Sequence, residues 1–279
     1  MGYGNSNRRK KTSLNMRHEG FERLIREILP GMGYVYRPMN RRNIRRKVAR
    51  RMEEKGIHEW DNYLDLLKKD GVERATFEQI LRVTITRFFR NAGMWEELGH
   101  QVTRIWALQP ADRIISVWSA GCAGGEETYS LAMFFEQLTS DGKLNQDWEI
   151  LGTDSETNSL QRASRMIYQW GSVREIPGQL RERWFTEKDG NWILDPSADQ
   201  NITFRQHDIL NDPPPGSFNM ILLRNNILTY NTEPVQRALL SGLQKCMEPK
   251  GLLFIGRKEK VPESAGFEIL SDSIYRRLS

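Results

Sequence analysis

The stretch Val117-Trp-Ser-Ala-Gly-Cys-Ala-Gly-Gly-Glu-Glu-Thr-Tyr-Ser130 sets a run of small side chains between an apolar segment and a helical pattern. Small residues there, Ala120 and Gly121 among them, let a ligand approach the backbone closely at the carboxyl end of a strand. No Gly-Lys-Ser/Thr follows, so this is not a phosphate loop. Glu126 and Glu127 would repel a pyrophosphate but suit a cationic group, such as the α-amino group or sulfonium of S-adenosylmethionine. The competing reading is a tight strand-to-helix connection whose first-turn carboxylates answer the helix dipole. Asp154 closes the next apolar run, Glu149 to Thr153, where an acid can accept from two ribose hydroxyls; it could equally cap a helix. Asp208-Ile209 follows the run at 202–204. An Asp there can accept from an adenine amino group while the Ile209 N–H donates to a ring nitrogen. In this order on one sheet, the three elements describe a site for S-adenosylmethionine.

The elements that must carry these residues can be read from periodicity. Strands are expected at 113–118, 149–153, 219–223 and 251–256, with a last pair at 267–270 and 274–278. Helices are expected at 126–138, 158–168 and 233–247. Alternating strands and helices predict an α/β fold with a doubly wound sheet. Residues 176–206 break the rhythm with Pro177, Gly178, Gly190 and Pro196 around short apolar runs, which predicts a small antiparallel insertion. Ahead of the sheet, Phe21, Leu24, Ile25 and Ile28 recur at helical spacing, and Pro30, Gly31 and Gly33 end that helix. Further helices are expected at 40–55, ended by Gly56, then around Trp60 to Leu67, and at 73–89. The expected organisation is a basic tail over 1–16, a helical domain over 17–92 and an α/β domain over 93–279.

Hydrophobic residues make up 38% of the 279, with eight Trp, eight Tyr and eleven Phe, enough for a real core. No run approaches the ~18 apolar residues of a membrane span, and the N-terminus lacks the apolar core of a signal peptide. Cys122 and Cys246 cannot make a disulfide framework, so a reducing, cytoplasmic setting is expected. His18, His58, His100 and His207 share no metal-ligand spacing, and no metal is expected. The chain carries +5, yet residues 1–60 hold 16 Lys+Arg against 6 Asp+Glu, so the remainder is net acidic. Such a basic block usually meets something acidic. Nucleic acid is not expected as a partner, because no aromatic stacking platform lies among the arginines.

The sequence resembles the CheR-type chemotaxis receptor methyltransferases over residues 17–279. The likeness rests on Thr84-Ile-Thr-Arg-Phe-Phe-Arg90, Trp118 to Ala132, Gly152-Thr-Asp154, and Leu223-Arg-Asn225 followed by Tyr230. The resemblance implies a class I S-adenosylmethionine-dependent methyltransferase fold, Rossmann-like, with an N-terminal helical domain and the small β insertion. It implies methylation of glutamate side chains on receptor cytoplasmic helices, with S-adenosylhomocysteine as product. Carried over by position, Thr84, Thr86 and Arg90 line the cofactor and transfer site. Glu126 holds the methionine amino group, Asp154 the ribose, and Asp208 and Ile209 the adenine. Leu223, Arg224 and Tyr230 close the site, with Arg90 and Tyr230 catalytic. Three positions depart from the family pattern: Thr84 and Asp208 each stand where Asn is usual, and one extra residue separates Arg224 from Tyr230. A glutamate side chain, whose unperturbed pKa is ~4.3, is already ionised at neutral pH and needs no general base. Arg90 is the expected orienting group, because guanidinium binds a carboxylate bidentately. The basic helix, through Arg46 and Arg50, is expected to dock an acidic helical substrate. The alternatives are a same-fold enzyme acting on a small molecule, thiol or peptide, and a cofactor-binding docking protein without turnover.

Overall fold

A computed structural model describes residues 19–35, 41–81, 86–107, 109–262 and 265–278. The described chain forms two compact units: one holds the residues up to 81 together with Tyr230–Thr232, the other holds the rest.

The first unit is helical. Its elements are α1 (19–28), a short 3-10 turn (Pro30–Met32), α2 (Arg41–Glu54), α3 (Trp60–Lys69) and α4 (Gly71–Leu81). The apolar positions read at helical spacing converge: Phe21, Leu24, Ile25, Ile44, Val48, Met52, Tyr63, Leu67 and Phe77 make one buried cluster. Glu73 is the exception inside it, a carboxylate only 1% exposed. Arg51 grips it with two hydrogen bonds, Nε to Oε1 at 2.9 Å and an NH2 contact to Oε2 at 2.7 Å. The Tyr63 hydroxyl donates at 2.9 Å and Lys55 pairs at 3.2 Å. The basic face of α2 is thus divided. Arg51 turns inward, whereas Arg46 is exposed and Arg50 reaches only its neighbour Glu54 at 3.2 Å.

The second unit is built on a seven-stranded sheet. Its strands are β1 (Ile115–Ala120), β2 (Trp148–Asp154), β6 (Ile202–Gln206), β7 (Phe218–Leu223), β8 (Met247–Ile255), β9 (Phe267–Ile269) and β10 (Ile274–Arg277). They lie in the order β6-β2-β1-β7-β8-β10-β9. β6, β2, β1, β7 and β8 run parallel, and β10 runs antiparallel to both β8 and β9. The chain winds outward from β1 to β6, then restarts at β7 on the other side, so the order reverses between β1 and β7. Crevices at the carboxyl ends of strands at such a reversal are where ligands bind in open α/β sheets. Buried residues of β1, β7 and β8 fill both faces, as expected of central parallel strands.

The helices of this unit are α5 (Ala92–Trp106), α6 (Glu126–Ser140), α7 (Thr157–Arg165), α8 (Trp170–Val173), α9 (Gly178–Trp184), α10 (Ile227–Tyr230) and α11 (Glu233–Lys245). Between α7 and β6 lies a second, antiparallel sheet of β3 (Ile167–Gln169), β4 (Phe185–Lys188) and β5 (Asn191–Leu194), in the order β3-β5-β4.

Three sequence expectations differ from what is observed. The helix expected to run to Phe89 ends by Leu81 among the described residues, and 86–92 join the sheet unit rather than a helical domain reaching 92. The reason is packing: Phe88 is fully buried against Tyr168 and Phe185, with ring centroids at 4.8 and 5.1 Å. The small sheet begins at Ile167, includes the helix α9, and excludes 202–206, which pair with β2 in the main sheet. Helix α5 is not among the sequence expectations, although Trp95, Leu98, Val102 and Trp106 are buried at helical spacing. The tail expected over 1–16 lies outside the described residues.

Candidate active site

Strand register brings the motif residues together. Ala120 stands beside Thr153, and the amides of Gly121 and Cys122 both donate to the Thr153 carbonyl at 2.8 Å. That pairing sets Asp154 beside the small-residue loop. One of its oxygens accepts the Ala123 N–H at 2.9 Å and the other the Glu156 N–H at 2.9 Å. On its far side Asp154 stands beside Gln206, and its carbonyl accepts the His207 N–H at 3.1 Å. Asp208 follows immediately. Its carboxylate turns back on its own loop, accepting from the Leu210 N–H and the Asn211 amide, both at 3.0 Å. Ile209 is partly buried against the core.

The loop must be made of small residues. Gly121 adopts φ +79°, and a Cβ there would stand 2.7 Å from the Asn226 amide, which donates to the Ala120 carbonyl at 3.0 Å. At Gly124 a Cβ would meet the Arg162 guanidinium at 2.2 Å.

The two motif glutamates point apart, since neighbours on a helix diverge by about 100°. Glu126 is 2% exposed. Its Oε1 accepts from the Ser172 hydroxyl at 2.9 Å, and Arg162 pairs with its Oε2 at 3.8 Å. That Oε2 is buried without a hydrogen-bond donor. Burial pushes the Glu126 carboxyl up, and Arg162 opposes the shift. Glu127 accepts from Ser119 at 3.2 Å and from Arg224 at 3.3 Å. Burial raises its carboxyl as well, with Arg224 and Arg90 pulling it back and Glu259 adding to the rise.

Arg224 emerges from the end of β7 and is buried. It donates to the Arg90 carbonyl at 2.8 Å and sits over the rings of Phe254 and Trp95 at 4.8 and 5.5 Å. Burial lowers its pKa and Glu127 restores part of it. Leu223, just before it, is fully buried. Arg90 belongs to a strained strap. Phe89 and Asn91 on either side have φ +46° and +65°, which side chains other than glycine rarely adopt. The strap is held by the Phe88 N–H on the Ser172 carbonyl and the Phe89 N–H on the Ser130 hydroxyl, both at 3.0 Å. Thr86 opens the described part of this strap, partly buried; Thr84 lies outside the described residues. Tyr230, at the end of α10, groups with the helical unit, where its carbonyl accepts the Val35 N–H at 2.7 Å.

Ala120, Gly121, Glu126, Asp154, Leu223, Arg224 and Arg90 therefore meet in one unit at the carboxyl ends of β1, β2 and β7. Glu259, Ser172 and Arg162 carry no signal in the sequence; only tertiary contacts place them around the motif carboxylates, whereas Glu127 is legible as the second acid of the Glu-Glu pair. S-adenosylmethionine fits this donor set: a buried Glu126 oxygen lacks a hydrogen-bond donor, and Asp154 stands at the tip of β2 beside the glycine loop. Among the described residues, no group of three His, Cys, Asp or Glu gathers as a metal site.

A parallel sheet of this order, with reversed β10 between β8 and β9 and a glycine-rich turn after β1, defines a class I S-adenosylmethionine-dependent methyltransferase. The family model of the CheR methyltransferase SAM-binding domain matches residues 84–275. The chain belongs to the CheR methyltransferase family, and its cofactor is S-adenosylmethionine. A chemotaxis protein methyltransferase of Listeria monocytogenes is 31% identical over 83% of this chain and 87% of its own length. The chemotaxis protein methyltransferase of Escherichia coli is 26% identical, over 86% of this chain and 83% of its own. An uncharacterized 104.1 kDa protein of Rhodobacter capsulatus is 30% identical over 82% of this chain, which spans 24% of that protein's length. The family expected from the motifs is borne out. No helix among the described residues is long and apolar enough to cross a membrane.

Proposed function

We propose that the chain methylates glutamate side-chain carboxylates on an acidic helical protein of the chemoreceptor type. The observation that carries this reading is Arg90: a guanidinium on a strap held rigid from both sides, within the electrostatic reach of Glu127 and Arg224. S-adenosylmethionine, when bound, supplies an activated methyl group on a sulfonium. Asp154 accepts from the ribose hydroxyls. Glu126 and Glu127 offer carboxylates to the methionine ammonium, the first through its Oε2. Asp208 and the Ile209 N–H are assigned to the adenine, and Thr86, Leu223 and Arg224 to the walls of the cofactor site. Arg90 orients the incoming carboxylate. An ionised acceptor needs no base, so the protein's work is to desolvate and aim it, and positioning can supply up to ~7–11 kcal/mol of the barrier. The names of the Listeria and Escherichia coli relatives support a protein acceptor in chemotaxis.

The test is incubation with methyl-labelled cofactor and an acidic receptor fragment. Label that alkali releases as methanol supports a carboxyl ester. Alkali-stable label, or label only on small molecules, assigns a different acceptor.

A further inference from the structure

The turn after β8, Gly256-Arg-Lys-Glu-Lys260, carries three cations around one acid, and the fold separates them. Glu259 is buried at 3% exposure, while Arg257, Lys258 and Lys260 are exposed. The buried carboxylate accepts the Gly256 N–H at 2.7 Å, the Asn225 N–H at 2.8 Å, and the Thr229 hydroxyl. The Glu259 N–H closes the turn on the Gly256 carbonyl at 2.8 Å. Glycine is required at 256, because a Cβ there would stand 2.6 Å from the Glu259 carboxylate. The one negative charge of the turn is thus spent inward, and none of the three cations has an ion pair among the described residues. The turn is also tied to the site: Asn225 follows Arg224 directly, and Glu259 contributes to the field at both Glu127 and Arg224.

We infer that Arg257, Lys258 and Lys260 form a docking surface for an acidic polypeptide, the segment that flanks the methyl-accepting carboxylate. This rests on the acceptor reading above. Its physical basis is a rigid turn, fixed by a buried acid at the carboxyl edge of the sheet, that shows only positive charge outward. Exposed charges of this kind steer encounter and fix register more than they add affinity, so their mark is on the Michaelis constant and on salt dependence. The turn holds no aromatic residue on which a nucleobase could stack.

The experiment compares the full chain with R257E/K258E/K260E, leaving Glu259 in place. Binding of a fluorescent glutamate-rich helical peptide is measured by anisotropy at low and high salt, beside calorimetric binding of S-adenosylhomocysteine. Expected is a loss of peptide affinity of ~10-fold or more at low salt, shrinking as salt rises, with cofactor affinity unchanged. With a methyl-accepting receptor fragment, KM rises by a similar factor and kcat stays within about twofold. Equal peptide binding by the two proteins overturns the inference, as does a loss seen only on anionic vesicles. Absence of any base-labile methylation by the parent removes the acceptor reading alone, since the peptide measurement does not depend on turnover. R257Q/K258Q/K260Q guards against misfolding of the reversed variant: it should fall between the two.

Discussion

Asp154 spends one lone pair of each carboxylate oxygen on the loop amides of Ala123 and Glu156, and each oxygen keeps another, which the proposed reading gives to a ribose hydroxyl. It therefore shapes the loop and, in the proposed reading, binds the cofactor as well. Asp154→Ala should weaken S-adenosylhomocysteine binding by about 2–4 kcal/mol, measured by calorimetry. Unchanged affinity would remove Asp154 from the site. Arg90 is different in kind. Its backbone is used by Arg224 and by the Trp95 indole, which donates to its carbonyl at 3.2 Å, so truncating the side chain leaves those contacts in place. Arg90→Ala should thus lower kcat by ~100-fold or more while cofactor affinity moves little, the pattern of a group that acts in the transition state. Equal losses in binding and rate would make it a cofactor-binding residue instead.

At the scale of elements, the helical unit depends on one buried charge. Hydrogen bonds from Arg51, more than any other contact, hold the Glu73 carboxyl down at about 2, with Tyr63 and Lys55 adding to the effect. The unfolded value is ~4.3. A folded pKa below the unfolded one means stability that is fully present above the unfolded value and lost as pH falls from about 5 toward 2. Glu73→Gln should flatten that loss in acid denaturation, and at neutral pH it should destabilise the unit by about 3 kcal/mol, because Arg51 is left without its counter-charge. An unchanged acid limb would show that other carboxylates control it. In the sheet unit, the strap before α5 has a comparable dependence, this time on apolar packing of Phe88 against β3 and β4.

At the scale of the molecule, charge is sorted by position. The net basic N-terminal part contrasts with a net acidic remainder, and on α2 the exposed cations include Arg46 and Arg50, whereas Arg51 is consumed by Glu73. If α2 docks an acidic substrate, R46E/R50E should raise the Michaelis constant for a protein acceptor, with little change in turnover at saturation. The effect should fade as salt rises, since exposed charges are screened over ~8 Å at physiological ionic strength. Insensitivity of every accepted substrate to both the reversal and salt would favour a small-molecule acceptor.

Local residue order determined a good part of this protein. The helices of the first unit, the parallel strands and the glycine-rich turn with Asp154 were legible because period and small-residue runs act within a few positions. The motifs also named the family. What the sequence could not decide was everything that depends on distant partners. Phe77 and Phe88 are both buried aromatic residues in one stretch that reads as helix, yet they belong to different units, because Phe88 meets Tyr168 and Phe185 some eighty and a hundred residues away. Glu126 and Glu127 are identical in type and adjacent in sequence. Only the folded chain sends one to Ser172 and Arg162 and the other to Arg224. Glu259 reads as one charge in a mixed loop until β7 and β8 lie side by side and offer it buried amides. Periodicity reports which face of an element is buried; which partner that face meets is settled by long-range packing and by the need to satisfy every buried charge.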